Sequence, residues 1–214
     1  MPHASAARLL PPIMLVLRWR LLFAKRLPML EFPSSYQRAL RRFFRAVVFA
    51  CVAFAASAFA EKGDPANLVK WRSGLTSSAQ PDANYLARSK ALGYEMVVNL
   101  APPQSQGSIE NEASIVGRQG VVYVNIPVNF GQPSTEDFRI FSEVMKLAAK
   151  KPVLVHCQVN LRGSAFTFLY RVIHEGAAID ETQQKLLGVW SPDPVWKTFI
   201  ETMLAAHGKK VEFL

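Results

Sequence analysis

Three short runs, "YEMVVNL" (94–100), "VVYVNIPV" (121–128) and "PVLVH" (152–156), are apolar at successive positions rather than alternate ones. Strands of that kind must be covered on both faces, and helices do the covering in parallel sheets. The stretches between the runs supply the helices. Pro81-Asp82 starts a helix through Leu92, with Tyr85, Leu86 and Leu92 on one stripe and Gly93 as its stop. "SIENEASIVGRQG" (108–120) has a helical start in Ser108, Asn111 and Glu112 and ends at Gly120. Ser134-Thr135-Glu136-Asp137 caps a helix through Lys150, with Phe138, Phe141, Val144, Met145 and Ala148 at helical spacing. A further helix runs from about Gly163 to Glu175, and two more follow around 180–188 and 194–207. "GLTSSAQ" (74–80) reads as a short additional strand, and "KGDPANL" as a flexible lead-in. The alternation predicts an α/β domain with a mostly parallel central sheet flanked by helices. Sites in such sheets form beyond the carboxyl ends of the strands.

One strand end carries reactive side chains. In "PVLVHCQVNLRGSAF" the strand delivers His156 and Cys157, a short loop turns, and Arg162, Gly163 and Ser164 lead into a helix. A tight loop entering a helix points backbone N–H groups inward, and the helix start adds partial positive charge. Phosphate fits such a nest, and so does a thiolate. A free thiol is only a few per cent ionised at neutral pH. Moving that equilibrium by ~3 pH units takes ~4 kcal/mol of preferential stabilisation of the anion. Loop amides, a helix end and a guanidinium together reach that size. The planar fork of Arg162 also matches two phosphate oxygens.

The formal charge of +9 does not indicate a nucleic-acid binder. Nine of the 25 Lys and Arg, and one of the 16 acids, lie in residues 1–60, which leaves residues 61–214 at +1. A domain so nearly balanced exerts no general pull on a polyanion. The basic excess belongs to a leader: Arg41, Arg42 and Arg45 precede an apolar run from Ala46 to Ala60 that ends in Ala58-Phe59-Ala60. This is the pattern of a secretory signal peptide, and the run is shorter than the ~20 residues of a membrane span. The expectation is an exported, periplasmic protein cleaved near Ala60, or a membrane-anchored one if the signal is retained. Met29 would give a leader of ordinary length. Residues 1–60 are therefore set apart as N-terminal extension and signal, and 61–214 as the domain. Cys51 falls in the leader, so the mature chain keeps Cys157 alone, a thiol with no internal disulfide partner.

The stretches "VLVHCQVNLRGSAFTFLYR", "GLTSSAQPDANYLARSKALGYEMVVNL" and "VVYVNIPVNFGQP" resemble the cysteine-dependent protein-tyrosine and dual-specificity phosphatase superfamily. Within it they are most similar to the bacterial phosphatase-like family related to the beta-lactamase-hydrolase-associated phosphatase domain. The likeness spans most of residues 70–175. It implies a phosphatase-like fold, Cys157 as nucleophile forming a phospho-cysteine, and Arg162 as phosphate holder. It also implies a phosphate loop of Gln158, Val159, Asn160, Leu161, Gly163 and Ser164. His156 supports the loop by hydrogen bonding, Ser164 assists the departing thiolate, and no metal or other cofactor is needed. Two departures stand out. The superfamily places five residues between Cys and Arg, whereas this chain has four, so the usual Arg position falls on Gly163. The general-acid position falls on Asn129, whose amide cannot donate a proton as a carboxylic acid does; Asp137 is the other candidate. Asn160 stands where a Gly often serves, and Asn tolerates left-handed backbone.

Three functions follow. The first is a phosphatase acting on a phosphorylated protein or a small aryl phosphate. The second is a catalytically inactive module that binds a phosphorylated or anionic ligand. The third is a redox-sensing thiol. His174 reads as a surface residue and His207, beside Gly208, as a helix end. Trp190, Pro192 and Trp196 read as a groove rim or as packing at a domain edge. No His, Cys and Asp cluster has metal-ligand spacing.

Overall fold

The computed structural model describes residues 63–148 and 150–213. The expected signal peptide, its cleavage near Ala60, Cys51 and the start at Met29 lie outside them. In chain order the elements are β1 (Val69–Arg72), β2 (Leu75–Ser78), α1 (Ala83–Leu86), β3 (Met96–Asn99), α2 (Glu112–Gly117) and β4 (Val122–Asn125). There follow α3 (Thr135–Ala148), β5 (Val153–His156), α4 (Leu161–Ile173), α5 (Ile179–Leu187) and α6 (Pro194–Ala205). The five strands form one sheet in the order β1-β2-β5-β3-β4. β2, β5, β3 and β4 run parallel, and β1 joins β2 antiparallel.

Alternation along the central strands splits the core into two layers. Val153, Val155 and Cys157 of the β5 segment join a large cluster with Phe138, Phe141 and Met145 of α3, Phe166 and Leu169 of α4, Leu186 of α5 and Trp196 of α6. Leu154 points the other way, into a smaller cluster with Tyr85, Leu86, Val97 and Val116. The sheet is therefore sandwiched, with α3 to α6 on one face and α1 and α2 on the other. The mostly parallel sheet predicted from the sequence is present, with an antiparallel edge added.

That edge comes from "VKWR", a mixed run with no strand pattern of its own. Ser73 and Gly74 turn β1 into β2, with Arg72 paired to Leu75. Gly74 takes φ +71, a backbone region that costs glycine nothing.

The helix predicted from Pro81-Asp82 through Leu92 is much shorter. Asp82 does cap it, accepting from the Tyr85 amide at 2.7 Å. After Leu86 the chain tightens into turns, with Arg88 N–H bonding to Tyr85 O and Ser89 N–H to Leu86 O. The Ser89 hydroxyl and the Gln119 amide both donate to Leu86 O, satisfying the carbonyl that a continuing helix would have used. Leu92 is consequently exposed. The segment 108–120 is likewise helical only over α2, with Asn111 at φ 62 before it. α3 starts on Ser134, whose Oγ accepts from the Asp137 amide at 3.0 Å, and it ends at Ala148 rather than Lys150.

α6 closes the larger layer. Asp193 caps it by accepting from the Trp196 amide at 2.9 Å, and Pro194 occupies the first turn. Trp196 is fully buried. Its ring lies 5.5 Å from Phe130, 6.0 Å from Phe166 and 5.7 Å from Phe199, and its Nε1 donates to Phe130 O at 2.9 Å. Of the aromatic residues first read as a possible groove rim, this one is packing. Trp196→Ala should cost about 3–5 kcal/mol and lower the melting temperature by roughly 10 °C. A drop under about 3 °C in thermal denaturation would show that the ring cluster contributes little.

Candidate active site

The sequence feature of greatest chemical interest lies at the carboxyl end of β5, in the middle of the sheet. His156 is the last residue of β5, between Ser78 of β2 and Asn99 of β3. Cys157 is fully buried and free, and its amide reaches Ser78 O at 3.3 Å. The chain then turns within three residues. Gln158 O accepts from the Gln80 amide at 3.1 Å, and Val159 O accepts from Asn67 Nδ2 at 3.0 Å. Asn160 has φ 73 and ψ 8, the left-handed conformation anticipated for a residue in a Gly-like place. Its Nδ2 donates to Asn67 O at 2.6 Å, so Asn67 and the loop grip each other in both directions.

α4 begins at Leu161, two residues earlier than predicted. The Ser164 amide closes the first helical bond on Asn160 O at 2.9 Å. The amides of Leu161, Arg162 and Gly163 thus form the first turn, where no intrahelical carbonyl is available and the positive end of the helix dipole lies. This start also accounts for the short spacing. A Cβ placed on Gly163 would come 2.6 Å from Asn160 Oδ1 and 3.7 Å from Ser77 Cβ. A long side chain has no room at 163, the position that the superfamily spacing assigns to Arg.

Arg162 instead leaves the helix toward the loop after β4. It is 8% exposed. Its Nε donates to Val128 O at 2.9 Å, and the guanidinium lies 5.2 Å from the centre of the Phe130 ring. This fixes the plane of the fork and leaves the two terminal nitrogens as donors. Asn129 lies between those two anchors. It is exposed, and its Oδ1 accepts from the Gly131 amide at 3.0 Å. Asp137 sits at the start of α3, and among the described residues no hydrogen bond or ion pair joins its carboxylate to the cysteine loop. Asn129 is thus tied to the loop through Arg162, and Asp137 is not.

Ser164 is buried, and its hydroxyl donates to Leu161 O at 3.1 Å while accepting from Trp190 Nε1 at 3.2 Å. Its proton is committed to the helix start, so a role on the departing thiolate would require the hydroxyl to rotate. His174 is exposed, as read, and stacks on Phe138. His207 bonds Met203 O at the end of α6.

Several contributing residues were not evident from the sequence: Asn67, Val128, Phe130 and Glu112. Glu112 is the most consequential. It is 5% exposed, and its Oε1 lies 2.7 Å from Nε2 of the fully buried His156. Its Oε2 accepts from Gln80 Nε2 at 3.3 Å and Asn99 Nδ2 at 3.4 Å. Asn99 Nδ2 also bonds the Tyr123 hydroxyl at 3.2 Å. Burial pushes the Tyr123 phenol up to about 12; the Asn99 bond opposes the shift and the Glu112 charge adds to it.

Comparisons with known proteins identify the family and the fold. Residues 68–171 match the family described as "Beta-lactamase hydrolase-like protein, phosphatase-like domain". A crystal structure of a DUF442 phosphatase-family protein from Shewanella putrefaciens CN-32 is 30% identical, with a TM-score of 0.60 over 67% of this chain and 92% of that one. Two more distant structures share the fold. The core catalytic domain of the PP-IP phosphatase SIW14 from S. cerevisiae, in complex with citrate, is 14% identical, with a TM-score of 0.53 over 65% of this chain and 86% of that one. P. aeruginosa TpbA in complex with pTyr is 18% identical, with a TM-score of 0.52 over 69% of this chain and 94% of that one. A comparison with curated protein sequences gives no match. On the shared fold, the matched residues and the likeness over nearly the whole of the Shewanella protein, this chain belongs to the beta-lactamase hydrolase-like, DUF442 family of phosphatase-like domains.

Proposed function

We propose that this protein is a phosphatase that hydrolyses aryl phosphate monoesters, protein phosphotyrosine among them, through a phospho-cysteine at Cys157. The observation that carries the reading is the fixed fork of Arg162. It stands in the first turn of the helix that follows the cysteine loop, braced by Val128 O and Phe130. The loop and first-turn amides and the terminal nitrogens of Arg162 take the three equatorial oxygens. The Cys157 thiolate attacks phosphorus, the P–O bond to the leaving group breaks, and the departing oxygen takes its proton from solvent. Water then attacks the phospho-cysteine, the P–S bond breaks, and phosphate leaves as the thiolate reforms. A cleft of about 580 Å³ lined by Gln80, Pro81, Ile109, Gln158 and Val159 borders the loop and suits the flat, largely apolar body of an aryl group. The pTyr held by the P. aeruginosa relative is of the same class.

Asn129 sets the leaving-group preference. A missing general acid costs ~10²–10⁴ in rate, and a phenol, which departs readily as its anion, suffers least. Turnover of 4-nitrophenyl phosphate should exceed that of glycerol phosphate by ~10²-fold or more; equal rates would sink this part of the reading. The same residue favours the alternative of an anion-binding module without turnover, since Asn129 has no proton to give and its Oδ1 is engaged by Gly131. Inorganic phosphate bound by a protein that releases no 4-nitrophenol would decide for the module.

A further inference from the structure

Glu112 is a carboxylate buried some 44 positions before His156 in the chain. Burying ionisable side chains forfeits hydration, and apolar residues of similar size often serve stability as well or better. Its partners explain what it does there. His156 ends β5, Asn99 ends β3, and Gln80 lies two residues past the end of β2. Glu112 therefore ties together the carboxyl ends of the three adjacent strands that frame the cysteine loop. One oxygen lies 2.7 Å from His156 Nε2, a close contact without hydrogen-bond geometry, and the other accepts from Gln80 and Asn99. Gln80 reaches the loop itself, because its backbone N–H holds Gln158 O. His156 and Cys157 are consecutive, with the imidazole directed to the α2 side of the sheet and the thiol packed in the opposite layer. Fixing the imidazole fixes the backbone from which the thiol projects.

From this geometry we infer that Glu112 is a positioning residue for Cys157, acting through His156 and Gln80. The inference rests on the phosphatase reading above. The phosphate-holding groups, Arg162 and the first turn of α4, are anchored separately on Val128, Phe130 and Asn160. Glu112 thus sets where sulfur stands relative to a phosphate gripped by Arg162 and the first turn of α4, which it does not touch, while the loop amides share its tie through Gln80. A misplacement of about 1 Å at an attacking atom can cost ~10²-fold in rate.

Glu112→Gln keeps the side-chain shape but turns one acceptor oxygen into an NH₂, which cannot accept from Gln80 and Asn99 while the remaining oxygen holds His156. With 4-nitrophenyl phosphate, kcat should fall by roughly 10- to 100-fold. KM and the affinity for inorganic phosphate should stay within about threefold of wild type. A purely structural role predicts a different result: a lowered melting temperature together with weakened phosphate binding, or a kcat loss that only tracks the fraction folded. Either result overturns the inference, and so does an unchanged kcat. Should Glu112→Gln not fold, Gln80→Ala removes one donor to the same carboxylate and keeps the backbone bond to Gln158. It should lower kcat by about 3- to 10-fold with the affinity for inorganic phosphate, which has no aryl body to enter the cleft that Gln80 lines, within about threefold of wild type, and an unchanged kcat there overturns the inference equally. A wild type without turnover defeats the phosphatase reading and this inference with it. A wild type with turnover and an unaffected variant defeats this inference alone.

Discussion

Cys157→Ser should abolish release of 4-nitrophenol while leaving inorganic phosphate bound nearly as tightly as in the wild type. The separation follows from which atoms do which work. The anion is held by backbone amides of the loop and the first turn of α4 and by the fork of Arg162, none of which the substitution touches. The attacking atom alone changes. A serine hydroxyl is far harder to ionise than a thiol and is a weak nucleophile without an adjacent base. The imidazole of His156 is no such base here, since it is directed toward Glu112 on the other side of the sheet from the thiol. Oxygen is also smaller than sulfur, so the fully buried site accepts it without strain. Stopped turnover with phosphate retained, read by 4-nitrophenol release and by calorimetry, supports a phospho-cysteine pathway. Residual activity in Cys157→Ser above about a thousandth of wild type would place the nucleophile elsewhere.

The parts of this site that were legible in the sequence are those encoded locally. The apolar runs gave β3 and β5 because strands covered on both faces leave no polar alternation to misread, and β4 was legible too, although as an edge strand it is only partly covered and leaves Val122 exposed. The capping sequence at 134–137 and the stripe of Phe138, Phe141 and Met145 gave α3 for the same kind of reason. Asn160 was readable because few residues other than Gly tolerate a left-handed backbone. The unread parts depend on contacts between distant segments. β1 is a mixed sequence, "VKWR", whose strand character comes from pairing with β2 across a two-residue turn. The predicted helix to Leu92 is cut short at Leu86 partly by Gln119, more than 30 residues away in sequence. Glu112 reads in the sequence only as part of a helical start, and its burial against His156 is a property of the folded sheet alone. The start of α4 at Leu161 depends on Asn160 being gripped by Asn67 from the lead-in segment.

The early arginine turns on that last point. With Asn160 held by Asn67, the helix opens at Leu161, Gly163 faces the Asn160 amide, and 162 is the position from which a side chain can leave toward the β4 loop. Arg162→Lys tests whether this arrangement replaces the longer spacing. Lysine keeps the charge but loses the planar fork, the Nε bond to Val128 O and the flat contact with Phe130. A point charge on a flexible stem cannot take two phosphate oxygens in one plane, and the loss grows as the transferring phosphoryl group approaches its transition state. kcat should fall by about 10²–10³-fold, with weaker binding of inorganic phosphate as well, whereas Glu112→Gln should spare that binding. Arg162→Ala should be no better, and added guanidinium should recover part of its activity by refilling the space over Phe130. If Arg162→Lys retained wild-type kcat and phosphate affinity, the backbone amides alone would be holding the anion. The bond to Val128 would then mark Arg162 as a brace for the Asn129 loop and not as a ligand for phosphate.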